Sequence, residues 1–176
     1  MNISLELPLT AEKVAQLHAG DTVLLSGTIY TARAAAHKRL VAMLDNNEAL
    51  PVELKDATIY FAGPCPAPPG RCIGSAGPTT SGRMDAYSPR LIRECGLRGM
   101  IGKGERNQAV VDAMIEGHAI YFAATGGAGA LIAKSIIAAE VVAFEDLGPE
   151  ALRKLTVKDF PVIVAIDDKG NNLYRR

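Results

Sequence analysis

Hydrophobic and polar positions along the 176-residue chain change period several times, and each change marks an element. Residues 2–7 alternate apolar and polar, which predicts a half-buried strand. Thr10 is placed to cap a short helix over 11–18 that ends near Gly20. Residues 22–30, rich in Val, Leu, Ile and Thr, predict a strand. Residues 31–44 place Ala34, Ala35, Leu40, Val41 and Leu44 at near-helical spacing, so a helix starts as that strand ends. A short buried strand follows at 58–62. Further on, the pattern predicts a helix over 85–95 stopped by Gly96, a strand over 97–101, an amphipathic helix over 106–116 capped near Gly117, and a strand over 119–124. Residues 130–138 read as a helix, 140–144 as a strand, 149–155 as a short helix and 161–166 as a last buried strand. Asp167-Asp168-Lys169-Gly170 reads as a hairpin-type turn.

Strands that alternate with helices predict an α/β fold, one domain over 1–176, with a substantially parallel central sheet. Ligands of such sheets gather at the carboxyl ends of the strands. Four cationic or glycine-rich segments follow predicted strands: Arg33, the loop 77–83, Lys103 between two glycines, and the glycines of 125–129. The segment before Thr80 is unusually long and carries Gly63, Pro64, Pro66, Pro68, Pro69 and Gly70. A long loop inside a compact domain is most often functional.

Composition narrows the chemistry. Hydrophobic residues make up 48 % of the chain, enough for a real core. Lys+Arg and Asp+Glu both number 19, so no global field draws nucleic acid or an anionic membrane, and any anion site must be local. No secretory leader and no membrane span is expected, and the three cysteines, Cys65, Cys72 and Cys95, point to a reducing, cytoplasmic setting. Their spacing matches no common zinc or iron–sulfur signature, so free structural thiols are expected.

The richest segment is Gly77-Pro78-Thr79-Thr80-Ser81-Gly82-Arg83-Met84-Asp85. Its glycines allow special backbone angles and close approach of a ligand. Thr79, Thr80 and Ser81 offer hydroxyls, and Arg83 offers a planar fork matched to a carboxylate or phosphate. Lys103 is flanked by Gly102 and Gly104 and can reach into a cleft, while Arg33 stands among small residues at a helix start, with His37 one turn later as a structural histidine. Gly126-Gly127-Ala128-Gly129 fails both the dinucleotide fingerprint and the P-loop pattern. Close packing, or a carboxylate held by main-chain N–H groups, suits it better.

These segments, with Asp159-Phe160-Pro161 and Asp167 to Asn171, occur in the order seen in one family. The chain resembles, over nearly its whole length, the beta subunit or C-terminal domain of the class I iron–sulfur-dependent fumarate hydratases and the related L-tartrate dehydratases. The resemblance implies a swivelling β/β/α domain and a reversible hydration of fumarate to (S)-malate. It implies a [4Fe-4S] cluster held by a cluster-bearing alpha subunit rather than by this chain, in a hetero-oligomer for which α2β2 is one stoichiometry. By the same resemblance Thr79 is the catalytic base, Arg83 and Lys103 act beside it, and Arg33, Thr80, Gly126 and Gly127 bind substrate. No residue of this chain is expected to bind metal, and neither nucleic acid nor membrane is expected as a partner. Pro149 and Arg153 stand where Met and Trp are common in the family, and Ala34 where Asp is common. L-tartrate dehydration, and a stand-alone dicarboxylate-binding domain without catalysis, are the alternative readings.

Overall fold

A computed structural model of the chain describes residues 2–62, 80–124 and 129–175. Thr79, Gly126, Gly127, Cys65 and Cys72 lie outside the described residues. Seven strands form one sheet: β1 (Asn2–Glu6), β2 (Thr22–Thr31), β3 (Thr58–Tyr60), β4 (Gly99–Gly102), β5 (Ile120–Ala123), β6 (Ile136–Ala143) and β7 (Leu152–Ile166). Five helices accompany them: α1 (Ala11–Ala15), α2 (Ala34–Asp45), α3 (Ser88–Cys95), α4 (Gln108–Gly117) and α5 (Gly129–Ser135). Among the described residues there are also two 3₁₀ turns, Ser81–Met84 and Glu145–Glu150.

The pairs β1–β2, β2–β3, β3–β4 and β4–β5 are parallel, so the expected largely parallel α/β sheet is present. Strand β7 runs antiparallel to β2, β5 and β6. Because β7 pairs with both β2 and β5, the circuit β2–β3–β4–β5–β7–β2 closes on itself, and β1 and β6 are appended to it. Side chains therefore divide by strand parity. Tyr60, Ile101, Ile120 and Phe122 join one core with Leu25, Ile29, Leu155 and Val164. Ile59, Met100 and Tyr121 face the other way and form a second core with Leu40 of α2, Leu91 of α3 and Met114 of α4. All residues of β3 and β4 are buried, as strands covered on both faces must be.

Local chemistry sets the boundaries. The Thr10 hydroxyl accepts from Lys13 N–H at 3.2 Å, which caps α1 as expected, although the helix stops at Ala15. Helix α3 ends at Gly96 as expected. Helix α4 is capped by Asn107, and the left-handed residue at its end is His118 rather than Gly117.

Two expectations are corrected. The helix expected over 130–138 ends at Ser135, and β6 already begins at Ile136. The helix expected over 149–155 does not form: residues 152–166 make one fifteen-residue strand. Ala151, Leu152 and Leu155 have a spacing that imitates one face of a helix. They are buried because β7 fits between β2 on one edge and β6 on the other, so tertiary pairing overrides the local pattern. Near Pro161 the ladder slips: Ser26 has no partner between the Leu25 and Gly27 pairings, and its hydroxyl accepts instead from the Asp159 N–H at 3.0 Å.

Candidate active site

The parallel register sets the site. Thr31 pairs with Tyr60, Tyr60 with Ile101 and Ile101 with Phe122, so these four form one row across the sheet. Arg33 and Lys103 each lie two residues beyond that row, past the carboxyl ends of β2 and β4, which have β3 between them. Ala62 and Ala124 stand at the same level, and from them the chain leaves toward Thr80 and Gly129. Of the four segments expected to follow strands, Arg33 and Lys103 stand just past the carboxyl ends of β2 and β4.

Thr80 and Lys103 form a parallel bridge, and the Ser81 N–H donates to the Lys103 carbonyl at 2.8 Å. Two glycines make this junction fit. A Cβ on Gly102 would run into Ser81 Oγ and the Phe61 ring, and Gly104 has a φ of +89°. Gly82 plays no such part, because it has no positive φ and open space surrounds its missing Cβ. It leaves room above the turn instead.

Arg83 sits in the middle of the 3₁₀ turn Ser81–Met84 and is exposed, while Ser81 and Met84 on either side are fully buried. Lys103 is exposed as well. Among the described residues, neither side chain has a hydrogen-bond or ion-pair partner. That sets Arg83 apart from the other described arginines: Arg39, Arg90, Arg93, Arg98, Arg106 and Arg175 are each paired with a carboxylate, and Arg153 donates to two carbonyls. A guanidinium and an ammonium left unpaired on one edge can take a dianion without breaking any internal bond.

Arg33 is the N-cap residue of α2 and is only half-exposed, with its Nε 3.9 Å from Glu150 Oε1. The fully free arginine expected here is thus loosely held. His37, one turn on, is fully buried, with Nδ1 2.9 Å from the Arg33 carbonyl, so this nitrogen carries the proton and donates. Its Nε2 is buried and has no hydrogen-bond partner among the described residues, and its ring packs against Phe61 and Tyr87. Burial lowers the His37 pKa to about 4. The Arg33 carbonyl acts against this shift and the Arg106 charge adds to it. His37 is therefore a neutral structural residue under the first turn of α2.

Ser81, whose hydroxyl was expected to be offered to a ligand, turns inward, and so does Asp85. The Ser81 hydroxyl is buried 2.6 Å from Tyr121 Oη, which in turn donates to the Gly104 carbonyl at 2.8 Å. Burial raises the Tyr121 pKa, so its proton stays on. The Asp85 carboxylate turns inward, where Oδ1 accepts from Arg106 Nε at 2.6 Å and Oδ2 from the Asn107 N–H at 2.9 Å. Arg106 was not among the expected site residues. An arginine three positions after Lys103, beside Glu105, looks like an ordinary surface charge in the sequence. Only the fold shows it fully buried between the Phe61 and Tyr121 rings.

Among the described residues no group of three or more His, Cys, Asp or Glu side chains is arranged to hold a metal. Cys95 is half-buried at the end of α3, and burial raises its thiol pKa, the reverse of what a thiolate ligand needs. A cavity of about 570 Å³ lined by Gln108, Ile115, Lys169 and Arg175 includes none of the expected site residues, and its two cations are already paired with Asp168 and Glu105. No helix among the described residues is long and apolar enough to cross a membrane.

The chain is 38 % identical to Fumarate hydratase 2 of Leishmania major over 179 residues, covering 100 % of this chain and 32 % of that protein. It is 41 % identical over 165 residues to the aerobic class I fumarate hydratase of Escherichia coli (strain K12), covering 93 % of this chain and 30 % of that one. The chain thus spans about a third of the length of these relatives. A relative of its own size also matches. The putative L(+)-tartrate dehydratase subunit beta of Methanocaldococcus jannaschii is 40 % identical over 172 residues, with 94 % of this chain and 88 % of that subunit covered. Residues 1–176 match the family described as Fumarase C-terminus, and the chain belongs to that family.

Proposed function

We propose that this chain is the beta subunit of a hydro-lyase that interconverts fumarate and (S)-malate, active only when joined to a cluster-bearing alpha subunit. One observation carries the reading: Arg83 and Lys103 are exposed and unpaired among the described residues, and the Ser81–Lys103 hydrogen bond joins their loops at the carboxyl edge of the sheet. A C4 dicarboxylate carries two charges, and these cations with Arg33 supply a complement for both. Two-point binding fixes which carbon faces the base. When a proton leaves the carbon beside a carboxylate, negative charge builds onto that carboxylate, and fixed cations stabilise it more than they stabilise the ground state.

Thr79 is the proposed base. Its hydroxyl is a weak acid, so its deprotonated form needs nearby cations, and Arg83 and Lys103 fill that role. In the dehydration direction the Thr79 alkoxide takes the proton from the carbon next to the carboxylate, and hydroxide leaves from the neighbouring carbon as the double bond forms. A [4Fe-4S] cluster belongs to the partner subunit in this reading, and when bound there it supplies a Lewis acid for the leaving hydroxyl. Thr80, Gly126 and Gly127 complete the substrate contacts on this chain.

Co-expression with the cluster-bearing partner, anaerobic reconstitution and assay of fumarate hydration test the proposal. Activity in the mixture with neither subunit active alone is the expected result, and Thr79→Ala lowers turnover by at least 100-fold in the assembled enzyme. Failure to associate with any cluster subunit, while dicarboxylate still binds, would establish the stand-alone binding domain. The second substrate reading is L-tartrate, favoured by the match to a tartrate dehydratase beta subunit of the same size. The same complex assayed on L-tartrate separates the two.

A further inference from the structure

We propose that Arg106 is a positioning residue that holds Arg83 and Lys103 in one arrangement by locking the Ser81–Asp85 turn onto the loop after β4. The proposal rests on the hydro-lyase reading above, since Arg83 and Lys103 are its substrate cations. The turn is fastened at both ends. At its start the Ser81 N–H donates to the Lys103 carbonyl, and the Ser81 and Tyr121 hydroxyls link onward to the Gly104 carbonyl. At its end Asp85 is held by Arg106 Nε and by the Asn107 N–H. Arg83 lies between the two fastenings, its own side chain unpaired among the described residues.

Arg106 is suited to this work by its fork. Nε donates to Asp85 at 2.6 Å, Nη2 to Ser88 Oγ at 2.7 Å, and Nη1 points to Met100 Sδ at 3.3 Å. Ser88 Oγ passes the contact on to the Met84 carbonyl at 3.1 Å, the residue after Arg83. The guanidinium carbon lies 5.1 Å from the Phe61 ring centroid and 5.0 Å from that of Tyr121. A lysine keeps the charge but supplies no planar fork for three partners.

The test uses Arg106→Lys, with Ser88→Ala as a milder second variant. In the isotope-labelled chain, Arg106→Lys is expected to speed amide exchange at Ser81 by at least 10-fold while Phe122 in β5 stays within 2-fold. In the assembled enzyme it raises KM for the dicarboxylate at least 10-fold, and the double variant with Arg83→Lys loses less than the product of the two single effects. Uniform acceleration of exchange along the chain, or an additive double variant, would overturn the proposal and leave Arg106 a general stabiliser. If Arg106→Lys does not fold, Ser88→Ala must show the same local effect at Ser81, and unchanged exchange there overturns it. Exchange is read without turnover, so a chain that shows the local effect but yields no hydro-lyase activity would sink the functional reading and keep the positioning one.

Discussion

Lys103 accepts the Ser81 backbone N–H on its carbonyl at 2.8 Å, so the loop bearing one unpaired cation is hydrogen-bonded to the turn bearing the other. Two segments eighteen residues apart in sequence, Arg83 to Asp85 and Lys103 to Glu105, thereby act as one surface. The arrangement makes the contributions of binding and folding separable.

Arg83→Lys removes a planar fork and Lys103→Met removes a charge, and neither group supports an internal bond among the described residues. Thermal unfolding of either variant should stay within a few degrees of the parent chain. The apparent affinity of the assembled enzyme for its dicarboxylate should fall about 10- to 100-fold, the range expected for loss of a charge-assisted hydrogen bond. Steady-state kinetics beside calorimetry check this. A large drop in melting temperature with unchanged KM would place both residues in the scaffold instead.

Gly102→Ala should destabilise the chain by about 1–3 kcal/mol, because the added methyl meets Ser81 Oγ and the Phe61 ring in a filled interior. The effect should reach Lys103 through the Ser81 hydrogen bond. Gly104→Ala has more room, with the nearest atom, Thr80 Cγ2, at 3.9 Å, and meets mainly the strain of its positive φ, about 1 kcal/mol. Urea unfolding of the two variants should rank them in that order.

His37 gives the chain a defined acid sensitivity. Its folded pKa, about 4, lies below its unfolded value of 6.5, so the unfolded chain binds the extra proton first as pH falls. The stability it contributes is present in full above pH 6.5 and is lost progressively down to about pH 4, a loss of about 3 kcal/mol. His37→Phe should remove that slope, because phenylalanine fits the apolar contacts with Phe61 and Tyr87 and takes up no proton. Denaturant titrations from pH 7 to 4.5 on both chains make the comparison. Parallel curves would rule out His37 as the titrating group.

Asp167 holds the turn after β7. It is 1 % exposed and accepts from the Ala19, Lys169 and Asn171 backbone N–H groups and from Asn171 Nδ2, at 3.0–3.2 Å. Burial opposes its ionisation, but these donors outweigh burial and lower its pKa. Asp167→Ala should cost about 2–4 kcal/mol by leaving four donors with no acceptor. Asp167→Asn should cost less, and the parent's advantage over it should shrink as pH falls through the carboxylate range. Equal stability of Asp167→Ala and the parent would show the donors find water.

Much of this was legible in the chain. Alternation at 2–7, the apolar runs at 22–30 and 58–62, Thr10 as a cap and Gly96 as a stop are local signals, and local sterics and hydrogen bonding turn them into elements. The expectation that Arg33, Thr80, Arg83 and Lys103 follow parallel strands also rests on local order, because short βα units put every strand's carboxyl end on the same edge. What pairs with what was not local. The start of β7 looked helical because Leu152 and Leu155 are spaced like a helix face, and only its ladders to β2 and β6 make it a strand, whereas its end at 161–166 read as a strand in the sequence. Arg106 looked like a surface charge. Its burial depends on Phe61, Asp85 and Tyr121, three residues brought together from separate strands and turns. Sequence by itself determined the elements and the kinds of charge on their ends, since these follow from each residue's own backbone and side-chain preferences. Tertiary structure decided which cations pair with carboxylates and which, among the described residues, do not, since pairing is a property of neighbours in space.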